Sequence, residues 1–152
     1  MTIVLIAFTL YLLATALLTR SVLRDGNQAP VRWLAPALAA VALHASYHVL
    51  VALHTAGGPD MHFFAALSLC GLGMAALTAV FGGRGRMAAV GVVVFPLSAV
   101  LLTSYHAYGH EPSPDLGWRL ELHAWMALLA YATLGIAALL AIMLWLQERA
   151  LR

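Results

Sequence analysis

VALHASYHVLVALH, residues 41–54, decides how this chain is read. Its alanines, valines and leucines suit the interior of a membrane-spanning helix, yet His44, His48 and His54 interrupt it. Imidazole far from water is costly without a hydrogen bond, a cavity or a metal to satisfy it. His44 and His48 stand four residues apart and so share one helix face, with Tyr47 beside them.

Working outward, the same apolar character extends over almost the whole chain. Of 152 residues, 63% are hydrophobic and 9% charged, more apolar surface than a soluble domain of this length can hide. A bilayer core of about 30 Å needs roughly 20 apolar residues in helix. Stretches at 2–20, 33–55, 61–82, 87–106 and 119–147 meet that need. The expectation is an all-α, polytopic membrane protein, a single domain over residues 1–152 built as a bundle of five transmembrane helices. SVLRDGNQAPVR (21–32), AGGPD (56–60), GGRGR (82–86) and AYGHEPSPDLGW (107–118) connect the spans. The N-terminus lacks a positive leader before its apolar run and is read as a retained first span. Pro96 lies inside the fourth span and predicts a kink.

The charges give an orientation. Every basic side chain is arginine. If the helices alternate, Arg20, Arg24, Arg32, Arg84, Arg86, Arg149 and Arg152 fall on one side, leaving Arg119 on the other with Asp60, Glu111, Asp115 and Glu121. Positive loops stay in the cytoplasm, so the N-terminus is expected outside and the C-terminus in the cytoplasm of a bacterial inner membrane. Trp33 and Trp145 are expected at the inner interface and Trp118 at the outer one, with the four carboxylates solvated. The net charge is only +2 and no basic run exists, which argues against nucleic acid as a partner. The single cysteine, Cys70, forms no CxxC pair.

On this map all seven histidines occupy the outer half. At 1.5 Å per residue, His44 lies roughly 18 Å and His48 roughly 24 Å above Arg32. His54, His62, His106 and His110 fall near water, where a plain surface role suffices. His48 suits an interhelical hydrogen bond as well as a ligand. His44, the deepest, and His123, opening the fifth helix, are the sharper candidates, because neutral imidazole is a good ligand for iron, zinc and copper. No phosphate-cradling glycine loop, HExxH motif or intramembrane acidic pair is present, so no self-contained catalytic constellation can be named.

LELHAWMALLAYATLGIAALLAIMLWLQERALR, residues 120–152, resembles the start of the membrane domain of cytochrome c assembly proteins of the CcsA/CcmC group. Leu43-His44-Ala45 in the second helix, the stretch from Gly58 through FFAALSL to Leu69, and the proline-containing VGVVVFPLSAV resemble the smaller YpjD- and HemX-like branch. The resemblance implies a protein that holds or delivers heme b near the outer face on its way to apocytochrome c. It implies His123 as the outer-face ligand and His44 as a second candidate; His48 and His106 stand behind them as further candidates on their position alone. It also implies several further helices, so the chain reads as an N-terminal half whose partner is a missing C-terminal half or another membrane subunit in the bilayer. A b-type electron-transfer subunit, a heme-free accessory subunit and half of a transporter are the alternatives.

Overall fold

The computed structural model describes residues 1–25, 31–54, 60–82, 86–109 and 117–152. Arg84, His110, Glu111 and Asp115 lie outside the described residues. Five helices follow one another: α1 (Thr2–Asp25), α2 (Leu34–His54), α3 (Phe63–Gly82), α4 (Gly91–Tyr108) and α5 (Gly117–Ala150). Short 3-10 turns, Val31–Trp33 and Arg86–Val90, lead into α2 and α4. No strand occurs among the described residues. All five helices are long and apolar enough to cross a membrane.

The expected spans and the helices differ mainly at two ends. α1 continues past Arg20 to Asp25 because Ser21–Asp25 contains no helix breaker before Gly26. α5 starts at Gly117, whose φ of 66° is open to glycine at little cost, and runs for 34 residues. That is roughly 51 Å of helix against a hydrocarbon core of about 30 Å, so α5 must tilt or project from the membrane. α4 carries Pro96 in its second turn and continues through it to Tyr108.

Packing sets the directions. Leu18, late in α1, meets Gly91 at the start of α4, and Trp33 before α2 meets Gly82 at the end of α3. Tyr47, late in α2, meets His106 late in α4, and Phe64 at the start of α3 stacks on Tyr108 at the end of α4. Successive helices therefore alternate in direction. Cys70 lies by Leu128, Gly73 by Ala132 and Met74 by Gly135, so α5 runs parallel to α3.

In α1 the buried positions are Val4, Ala7, Tyr11, Ala14, Leu18 and Ser21, and in the second segment Trp33, Ala37, Ala40, His44 and Tyr47. Steps of three and four residues make a heptad-like seam, and its alanines let backbones approach closely. His44 sits at a seam position, which is why its imidazole ends up inside the bundle. Trp33 departs from its expected place at the interface. It is buried against Phe95 and the glycine at 82, because the seam of α2 begins with it. Trp145 and Trp118 are exposed, each with an arginine, Arg149 and Arg119, over its ring.

Candidate functional site: a polar core at the histidine-bearing end

Alternation brings His44, His48, His54, His62, His106 and His123 to one end of the bundle and Arg20, Arg32, Arg149 and Arg152 to the other. At the centre of this end is His44, which is 0% exposed. Its Nδ1 lies 3.1 Å from the Tyr11 hydroxyl on α1, and its Nε2 lies 2.9 Å from Ser68 Oγ on α3. The same Ser68 oxygen lies 3.0 Å from His48 Nε2. One serine hydroxyl thus stands between two imidazoles.

Proton counting gives this chain a direction. If Tyr11 donates to His44 Nδ1, then His44 Nε2–H donates to Ser68, and Ser68 O–H donates to His48 Nε2. Each of these three hydrogen bonds then has one donor and one acceptor, and both rings stay neutral. In the reverse direction the Tyr11 hydroxyl proton points into the apolar core, where no second partner is present among the described residues. A stranded buried donor costs about 1–3 kcal/mol, enough to favour the first direction.

A second polar layer lies nearer the surface. The His48 ring stacks on Tyr105, with centroids 4.7 Å apart and planes 6° apart. Tyr105 O–H donates to Asp60 Oδ2 at 3.3 Å. Asp60 Oδ1 accepts from the backbone N–H and the Nδ1–H of His62. Asp60 is buried rather than solvated as expected, because Tyr105 and His62 together supply the donors its carboxylate needs. The His62 ring packs so closely on Gly109 that a Cβ there would meet Nε2. The Tyr47 hydroxyl lies 2.7 Å from His106 Nδ1, within hydrogen-bond distance, and the Tyr47 ring meets the Tyr105 ring edge-on.

The sequence-derived candidates therefore separate. His44 and His48 are joined through Ser68, and His106 belongs to the neighbouring layer through Tyr47. His123 stands apart: it is exposed on α5 and makes no side-chain hydrogen bond among the described residues. Met126, one turn on, is 60% exposed on the same helix. No group of three or more His, Cys, Asp or Glu side chains able to hold a bare metal ion occurs among the described residues. Tyr11, Ser68 and Asp60 were not singled out by the sequence. Tyr11 lies 33 residues from His44, Ser68 24 from His44 and Asp60 45 from Tyr105, and no local pattern marks such pairs, although Asp60 also pairs with His62 two residues on.

Comparison with protein families gives the context of this arrangement. The family model described as "Cytochrome C assembly protein" matches residues 3–152. The chain belongs to the cytochrome c assembly family. As a member of that family with five candidate spans, it is a multi-pass membrane protein with a role in cytochrome c biogenesis. No curated protein and no solved structure matches the chain.

Proposed function

We propose that this chain serves cytochrome c biogenesis by holding heme b in transit at the histidine-bearing end, which faces the outside of a bacterial inner membrane. The observation that carries this reading is His123, an exposed imidazole on a helix that is itself mostly uncovered, in a cytochrome c assembly protein. Heme iron needs an axial nitrogen with a free lone pair and room for a flat macrocycle beside it. The arrangement favours His123 over His44 for that task. Both His44 nitrogens are engaged, with Tyr11 and Ser68, and its side chain is sealed inside the bundle. His48 Nε2 is likewise held by Ser68, and its ring is covered by Tyr105.

The residues then divide the work. His123 would bind the iron, with Trp125 and Met126 offering exposed apolar surface nearby on the same helix. The Tyr11–His44–Ser68–His48 chain would fix α1, α2 and α3 relative to one another. Only 11% of the most apolar stretch of α5 is buried, against 44% in α4. A heme on that helix would be closed in by a further helix, from a partner membrane subunit or a continuation of the protein, before transfer to apocytochrome c. Heme bound in this way would supply the iron porphyrin that is passed on.

The test is the absorption spectrum and heme-to-polypeptide ratio of the protein purified in mild detergent from heme-replete cells. His123→Ala is expected to lower the heme that co-purifies. His44→Ala is expected to reduce stability while the folded fraction keeps its heme. Heme at wild-type occupancy in His123→Ala, or lost only in folded His44→Ala, overturns the assignment.

A further inference from the structure

Arg119 breaks the charge pattern of the molecule. Among the described residues it is the only arginine at the histidine-bearing end. An arginine on the outer side weakens the bias that orients the chain. Arg119 makes no ion pair among the described residues, and its guanidinium lies 5.4 Å from the centre of the Trp118 ring.

Its place on α5 gives this cation a purpose. Arg119 stands four residues before His123, so the two share one face of the helix, and both are exposed. Four residues span roughly 6 Å, and the step from His123 to Arg119 runs toward the end of the bundle. In the other direction the same face continues with Met126, which is 60% exposed, and with the exposed Ala130. α5 packs on α3 through Ala132 and Ile136, which lie on another side of the helix. The uncovered face therefore carries a cation at its rim, an imidazole one turn below and hydrocarbon beneath that.

Iron protoporphyrin has its groups in the same order. Two carboxylates stand on one edge of a ring that is otherwise apolar, with the iron at the centre. With iron on His123, a carboxylate edge turned inward would meet Met126 and Ala130 at a depth where charge is costly. Turned outward, it would meet water and a guanidinium, whose planar fork suits a carboxylate. We infer that Arg119 binds a propionate of the heme held by His123 and so fixes which edge of the ring faces outward. This inference rests on the heme-holding reading above. A lipid phosphate is the other anion within reach of an arginine at this depth, and the experiment separates the two.

The purified full-length protein is titrated with hemin and with hemin dimethyl ester, each against the same micelles without protein, and the Soret band is followed. The ester removes both carboxylate charges and leaves the ring and the iron unchanged. Wild type should bind hemin about tenfold or more tightly than the ester, the scale of a hydrogen bond to a charged group. Arg119→Gln should weaken hemin binding to the level of the ester and leave ester binding unchanged, whereas Arg119→Lys should keep part of the preference. A role confined to anchoring α5 would move both ligands together. Equal binding of the two ligands by wild type, or a preference that survives Arg119→Gln, overturns the inference while heme holding stands. Loss of co-purifying phosphatidylglycerol from Arg119→Gln, with hemin binding unchanged, would assign the arginine to a lipid phosphate and likewise overturn it. If the wild-type protein binds no hemin, or His123→Ala binds it as well as wild type does, the heme-holding assignment falls as well.

Discussion

Ser68 carries an unusual share of the polar pairing inside this bundle. Its hydroxyl is the shared partner of His44 Nε2 and His48 Nε2, so removing it leaves the fully buried His44 Nε2 without its partner. Ser98 makes a useful contrast. Its hydroxyl donates to the carbonyls of Gly71 and Val94, both of which lie within helices and keep backbone partners when it is gone. A buried group left without its partner costs about 1–3 kcal/mol. An interhelical hydrogen bond in a membrane protein averages only about 0.6 kcal/mol, because the unfolded chain finds other partners in the bilayer. Ser68→Ala is expected to cost about 1–3 kcal/mol, and Ser98→Ala about 0.6 kcal/mol or less, in reversible unfolding by dodecyl sulfate in mixed micelles. Equal losses, or a larger one for Ser98→Ala, would show that the serine bridge does not hold the helices. At this scale the sequence was half legible. Spacing alone put His44 and His48 on one face, but their shared partner lies 24 and 20 residues away.

Among the elements, α5 is the one whose place depends on the fewest residues. It lies on α3, with Ala132 and Ile136 its buried side chains, and Ala132 packs directly over Gly73. A Cβ added there would come within 2.9 Å of the Ala132 Cβ, which has no freedom to swing aside. At Gly71, on the α4 side of α3, the nearest obstacle is the flexible end of Leu101. Gly73→Val should therefore push α5 off α3, whereas Gly71→Ala should be absorbed by Leu101. Cys70 reports the difference, since its thiol faces the Leu128 carbonyl across the α3–α5 interface. A membrane-permeant maleimide should modify Cys70 faster in Gly73→Val than in wild type, with Gly71→Ala unchanged. An unchanged rate in Gly73→Val would mean that α5 is held by something other than this contact. Helix lengths and their order could be read from the sequence because the span length is a physical constant of the bilayer. The packing face of α5 could not. Its buried Ala132 and Ile136 and its exposed Tyr131 and Leu134 are all compatible with lipid, so hydrophobicity does not separate them.

For the whole molecule, the alternating helices leave two chemically different ends. Arg20, Arg32, Arg149 and Arg152 gather at one, and the histidines with Asp60 at the other. Arginine near short loops is retained in the cytoplasm during insertion, so the histidine-bearing end should emerge outside. Arg119 is the exception at that end, one basic residue against the cluster opposite. The orientation matters to the proposed role, because apocytochrome c would meet heme held by this chain only on the side where the histidines lie. Single cysteines in a Cys70→Ser background test it, placed at the exposed positions Trp118, Leu23 and Leu151. Trp118→Cys should react with a membrane-impermeant maleimide in cells whose inner membrane is intact. Leu23→Cys and Leu151→Cys should react only once that membrane is opened. The opposite pattern would place His123 and the histidine-bearing end in the cytoplasm. The chain would then have to take up heme where it is made rather than hold it where cytochrome c matures, even with every ligand assignment unchanged.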